Sequence, residues 1–110
     1  NNWEIPKTLE DLQKIIDDCE AKGITPFASH MVDTWSIGNV TMQFMMNDVF
    51  NKTPDWGDQF RDGSVSFADS KEMQTAYEYN KLIFDHTFDT TFSTEQTDCD
   101  AKMVSGEAAM

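Results

Sequence analysis

The sequence predicts a mainly α-helical fold with about five helices and minimal strand. Apolar residues recur at three- and four-residue spacing in several segments, which is the period of an amphipathic helix. Residues that start helices (Thr, Ser or Asp) precede these segments, and glycines follow several of them. With 110 residues and 39% apolar residues, the chain is long enough for one domain with a modest core.

The first helix is predicted to begin after Thr8 and to end at Gly23. Thr8 is a favoured N-cap residue, and Asp11 three positions later comes close to the capping-box pattern. The apolar residues that follow share one helical face: Leu9, Leu12, Ile15, Ile16 and Cys19. Ile24 to Ala28 predicts a short extended segment, because its proline disfavours helix at the residue before it.

The second helix is predicted to start near Asp33 or Thr34 and to run to about Phe50. It is apolar nearly all round, which indicates burial on more than one side. Its apolar residues are Trp35, Ile37, Val40, Met42, Phe44, Met45, Met46, Val49 and Phe50. The methionines favour core filling over a promiscuous binding surface. This helix is therefore expected to pack at the centre.

Three further helices follow, each marked by a start signal. The signals are Thr53-Pro54, Asp69 or Ser70, and Ser93 or Thr94. Gly63 and Gly106 are the expected stops of the third and last of these five helices. The alternating stretch "SVSFA" at Ser64 to Ala68 predicts an extended segment, and Ala108 to Met110 predicts the start of an apolar strand.

The charge balance excludes some classes of partner. Eight basic residues against twenty acidic ones give a net charge of −12, which argues against nucleic acid and anionic membrane surfaces. No apolar run approaches the roughly 20 residues of a membrane span. The chain opens "NNWEIP", without an initiating Met or a signal peptide, so it is expected to be an excised piece of a longer protein.

The sequence offers no specific catalytic or metal-binding pattern. There is no Gly-rich phosphate loop and no distinctive nucleophile–base arrangement, and the acidic stretch from Asp58 fails the EF-hand pattern. His30 with Asp33, and His86 with Asp89, would each be at most half a metal site. We therefore predict no enzyme activity, no cofactor and no metal.

Two sequence features outside the helix pattern concern covalent modification. Cys19 and Cys99 are interpreted as buried small hydrophobic residues, and a bridge between them is left open. "NVT" at Asn39 and "NKT" at Asn51 fit the glycosylation pattern. The match at Asn39 is interpreted as chance, because the second helix is expected to be buried.

The stretch "GITPFASHMVDTW" holds the candidate binding residues His30, Asp33, Thr34 and Trp35. An aromatic ring can stack on the flat face of a sugar, while imidazole, carboxylate and hydroxyl groups bond its hydroxyls. The structural alternative is that Asp33 or Thr34 only caps the second helix and Trp35 only packs. On the residues alone, this structural role is favoured over sugar recognition.

Four motifs in order carry a resemblance to a known family. They are "IPKTLEDL", "AKGITPF", "VSFADSKEMQTA" and "SGEAAM", with a Trp at a helix start between the second and third. Together they resemble the extracellular solute-binding proteins of bacterial ABC importers, of the carbohydrate-binding type that includes maltose-binding protein. Those proteins typically show P-x-T-W-D-E-L, K-x-K-G-x-x-P-F, F-x-D-x-x-x-x-x-A and F-x-x-G-x-A-A-M.

The resemblance implies that residues 1–110 are one helical subdomain, a partial second lobe of a two-lobed α/β protein. It implies a monomeric protein outside the cell, periplasmic or a surface lipoprotein, that captures a sugar or oligosaccharide for the membrane subunits of an ABC importer. It places His30, Asp33, Thr34 and Trp35 at or beside the ligand cleft. His30 and Val32 depart from the maltose-binding pattern of an acidic residue and a stacking Tyr, so maltose itself is not implied.

Two other functions stay open at this point. The same architecture could bind a non-sugar solute such as a peptide or polyamine, with Asp33 attracting a cation. Alternatively, the chain is an unrelated helical protein-interaction module whose apolar second helix is a docking face.

Overall fold

The computed structural model describes residues 3–110 and is mainly helical, which confirms the predicted fold class. Its helices are α1 (Leu9–Ala21), α2 (Thr34–Met45), α3 (Trp56–Asp62), α4 (Lys71–Asp85) and α5 (Gln96–Ser105). A π-helical turn, Met46–Phe50, continues α2, and a 3-10 turn spans Thr91–Ser93. Strand pairing in the described residues is limited to an isolated parallel bridge between Thr25 and Ala108.

The chain divides into two compact units. The first unit contains the N-terminal part up to Val32 and resumes at His86–Met110, so it holds α1 and α5. The second unit is Asp33–Asp85, which holds α2, α3 and α4.

In the first unit, α1 has the ends that its sequence predicts. The Thr8 hydroxyl accepts a hydrogen bond from the Asp11 backbone N–H at 3.1 Å, and Gly23 follows the helix at φ 71°. That backbone angle favours glycine, because other residues clash there. Ile16 and Cys19 on the apolar face are fully buried. Cys99 is also buried and both thiols are free, so the two cysteines are not bridged.

The extended segment after α1 is held by backbone hydrogen bonds. The Thr25 N–H donates to the Glu107 carbonyl at 2.9 Å, and the Thr25 carbonyl accepts from the Ala109 N–H at 3.0 Å. The Phe27 N–H donates to the His86 carbonyl at 3.1 Å. The extended segment predicted at Ile24 to Ala28 and the strand start predicted at Ala108 to Met110 are therefore confirmed.

In the second unit, α2 and its π-helical turn pack against α4. The fully buried Val49 and Met73, with Trp56, form the apolar core of this unit. The Asn80 amide of α4 donates to the Thr41 hydroxyl of α2 at 2.8 Å, which satisfies a polar pair between the two helices. The predicted stop of α3 and cap of α4 are confirmed: Gly63 ends α3 at φ 83°, and the Ser70 hydroxyl accepts from the Met73 N–H. The predicted start of α3 at Thr53-Pro54 is wrong, because Asp55 is the N-cap residue and the helix begins at Trp56.

Three further sequence expectations are wrong in detail. First, the second helix is expected to be buried on more than one side, but the buried residue of α2 is Ser36, and Trp35, Met42 and Met46 are exposed along the helix and its π-helical turn. Asn39 is exposed too, so the expected burial of its "NVT" glycosylation pattern is wrong. Second, "SVSFA" is not one extended segment, because its last two residues lie in a turn. Third, α5 begins after Glu95, whose carboxylate completes a capping box with Asp98 in place of a Ser or Thr cap.

Candidate functional site

The N-terminus of α2 positions three of the predicted site residues. Asp33 is the N-cap residue, with φ −93° and ψ 114°, and Thr34 and Trp35 open the first turn. The Asp33 side chain makes no capping hydrogen bond. Instead, the Asp33 carbonyl accepts from both the N–H (3.1 Å) and the hydroxyl (2.7 Å) of Ser36. Its exposed carboxylate is therefore not committed to capping the helix, contrary to the structural alternative.

Trp35 presents a large aromatic surface in the first turn of α2. Its side chain is 54% exposed, although a Trp that served only to pack would be mostly covered. An indole ring next to an exposed carboxylate is a suitable arrangement for a polar ligand with an apolar face.

His30 belongs to the other unit, since the division falls between Val32 and Asp33. The residues on either side of it are fixed to the 86–91 segment of the same unit. The Ser29 carbonyl accepts from the Thr91 hydroxyl at 2.8 Å, and the Met31 N–H donates to the Thr91 carbonyl at 2.8 Å. His30 is itself half-buried. It is thus carried by an anchored segment rather than by a loose linker.

The structure brings Asp33, Thr34 and Trp35 together as consecutive residues at one helix start, and it places His30 in the preceding unit. A further feature of α2 escaped the sequence interpretation. Asn39, Met42 and Met46 are exposed together with Trp35. Their positions differ by four, seven and eleven residues from Trp35, which is the spacing of a single helical stripe.

Residues 3–110 also form cavities away from the start of α2. One of about 310 Å³ lies between the N-terminal segment and α1, beside Trp3, Lys7 and Asp11. The other, of about 380 Å³, lies in the second unit beside Trp56 and Glu72. None of the four predicted site residues lines either cavity.

Residues 3–110 contain neither a cluster of metal-ligating side chains nor a helix that could span a membrane. No three His, Cys, Asp or Glu side chains are grouped there so that they could hold a metal ion. Within the same residues, every helix is too short or too polar to span a bilayer.

Comparison with known proteins finds a similar fold but no matching sequence family. No protein family and no curated protein matches the chain. Among solved structures, the chain is similar to a chitin oligosaccharide binding protein, with a TM-score of 0.78 at 16% sequence identity. The match covers 98% of this chain and 27% of that protein, so the chain spans about a quarter of its neighbour's length. The chain therefore shares its fold with about a quarter of that protein.

Proposed function

We propose that this chain is part of an extracellular solute-binding protein that captures a sugar or oligosaccharide and delivers it to an ABC importer. In this proposal residues 1–110 are a helical part of one lobe of a two-lobed protein. The protein acts as a monomer outside the cell, in a periplasm or anchored as a lipoprotein. It binds its ligand without converting it and needs no cofactor.

One observation carries the proposal: the half-exposed indole of Trp35 at the start of α2, beside a carboxylate that does not cap the helix. Two others support it. The fold is similar to part of a protein that binds chitin oligosaccharides. The four sequence motifs also resemble the carbohydrate-binding type of solute-binding protein.

The residues have separate roles in this mechanism. Trp35 stacks on the apolar face of a sugar ring, and the Asp33 carboxylate and Thr34 hydroxyl bond its hydroxyl groups. A ligand that contacts both lobes favours the closed form over the open form, and the closed form is the one presented to the importer.

A cationic solute such as a polyamine is the second candidate. Asp33 is exposed and not engaged in capping, and the chain carries a net charge of −12. Both features favour a positively charged ligand over an anionic one. The sugar is preferred, because the exposed aromatic surface of Trp35 suits the flat apolar face of a sugar ring.

A thermal-denaturation screen of the full-length protein tests the proposal. The panel contains mono- and oligosaccharides, amino acids, peptides, polyamines and divalent metals. A ligand at about one hundred times its Kd adds roughly 2.7 kcal/mol to the free energy of unfolding, which raises Tm measurably. A rise with one class of sugar is the expected result. A rise with polyamines or other amines alone would replace the sugar by the second candidate.

The matched variants are Asp33→Asn and Asp58→Asn. Asp33→Asn is expected to weaken sugar binding, because an amide loses one acceptor oxygen but keeps the shape of the side chain. Asp58 is also exposed, but it lies on α3, which packs against the π-helical turn at the other end of α2, so Asp58→Asn is the control. If the two variants bind equally, Asp33 has no part in the site.

A further inference from the structure

A second property of α2 points to the kind of ligand that it contacts. From Thr34 to Asn47 the sequence contains no charged residue, although one residue in four of the whole chain is charged. The exposed residues in this run are aromatic, thioether, amide, hydroxyl or glycine. A surface without charge in so acidic a chain disfavours charged partners, because it offers no ion pair to offset their desolvation.

The exposed residues of this run include a stripe along the helix axis, formed by Trp35, Asn39, Met42 and Met46. At 100° per residue their directions fall within about 60° of one another. Trp35, Met42 and Met46 are 54%, 49% and 54% exposed. With a rise of about 1.5 Å per residue, the stripe is about 16 Å long. This length exceeds that of a single sugar ring.

Gly38 lies beside this stripe, and the atoms of the described residues do not require a glycine there. A Cβ atom at this position would meet nothing within 4 Å, and the residue lies inside α2 rather than at its end. A glycine inside a helix costs roughly 0.5–1 kcal/mol relative to alanine. Glycine is also the residue that lets a ligand approach the backbone closely. Gly38 is one helical turn from Trp35, so its missing side chain leaves room for a sugar ring that stacks on the indole and extends beyond it.

We propose that this stripe binds an uncharged oligosaccharide lengthwise, with one ring on Trp35 and later rings on Met42 and Met46. Asn39 donates to and accepts from the hydroxyl or amide groups of the sugar, and Gly38 gives the chain room to pass. The inference rests on the proposed function and deepens it, since it names the ligand as a neutral oligomer rather than a single ring.

Calorimetric titration of the full-length protein with linear neutral sugars tests the inference. The probes are β-1,4-linked oligomers of N-acetylglucosamine and of glucose, with one to five rings. The expected result is that Kd falls at least tenfold between two and four rings. Met46→Ala is expected to weaken binding of the four-ring sugar at least five times more than binding of the two-ring sugar. Trp35→Ala is expected to weaken both.

Gly38→Ala and Gly57→Ala form a matched pair. Both glycines lie inside helices, and an added methyl group would meet open space at either position. Both variants are expected to raise Tm. Only Gly38→Ala is expected to weaken oligosaccharide binding, by at least fivefold, because only this methyl group lies beside the stripe.

The outcomes separate this inference from the proposed function. If Trp35→Ala weakens binding but Met46→Ala has the same small effect at every length, the lengthwise stripe is wrong and sugar binding stands. If none of the probes and no other sugar binds, both proposals fail. If Met46→Lys lowers the Tm of the ligand-free protein by several degrees, another part of the protein covers the stripe, and the inference is overturned.

Discussion

Replacement of Trp35 by alanine separates a binding role from a packing role. The structure leaves 54% of this side chain exposed. A Trp buries up to about 200 Å² in a full contact, so a ligand could cover about 100 Å² of it. At about 25 cal/mol per Å², that contact is worth about 2.5 kcal/mol. Trp35→Ala is therefore expected to raise the Kd of the sugar about 70-fold, since about 1.4 kcal/mol corresponds to tenfold.

The assay is calorimetric titration of the full-length protein, together with urea denaturation without ligand. The control is Tyr77→Ala on α4, because Tyr77 is a helical aromatic residue with a similar exposed fraction, 51%. Its removal should leave the Kd unchanged. An unchanged Kd for Trp35→Ala, accompanied by a drop of several kcal/mol in the free energy of unfolding, would show that Trp35 is a packing residue and refute the reasoning.

Three other predictions concern stability and thiol chemistry. Ser70→Ala removes the acceptor of the Met73 N–H at the start of α4 and should lower the free energy of unfolding by about 1 kcal/mol in urea; a change under a few tenths would show that this cap is dispensable. Hydrogen bonds from the Lys22 ammonium and the Trp3 indole lower the pKa of Asp18. A lowered pKa in the folded state gives stability that is present above the unfolded pKa of about 4 and is lost as the pH falls through the folded value. Asp18→Asn should therefore reduce the loss of Tm between pH 5 and 2, and an identical acid profile would contradict this. Burial raises the pKa of both free cysteines, so a thiol reagent at pH 8 should modify them only slowly until urea unfolds the protein; rapid modification of the native protein would show that they are accessible.

The ends of the helices could largely be predicted from the sequence, because they depend on local hydrogen bonds. Thr8 bonds to a residue three positions away, and Gly23 takes a backbone angle that its own chemistry permits. The cap of α5 shows the limit of this reasoning. Three consecutive residues could cap this helix: Ser93, Thr94 and Glu95. The helix begins after Glu95, because Glu95 and Asp98 form a reciprocal capping box.

The candidate site could be predicted only in part. The sequence pointed to Asp33, Thr34 and Trp35 as neighbours at a helix start, since a helix boundary is a local property. It could not show whether the Asp33 carboxylate caps the helix, because the Ser36 N–H, from which a capping carboxylate would accept, donates to the Asp33 carbonyl instead. It also could not show that the segment before His30 is fixed, because that depends on Thr91, which lies 62 residues along the chain from Ser29.

The sequence by itself determined that this chain is acidic and mainly helical, and it determined where most of the helix ends lie. Those properties follow from composition and from contacts within one helical turn. Only the tertiary structure decided which side of α2 is covered. An apolar helix can bury any of its faces, and here α4 packs against α2 and its π-helical turn, through contacts such as that of Asn80 with Thr41. Met42 and Met46 stay exposed on α2 and its continuation, because the helix packing of the described residues covers other faces of this helix.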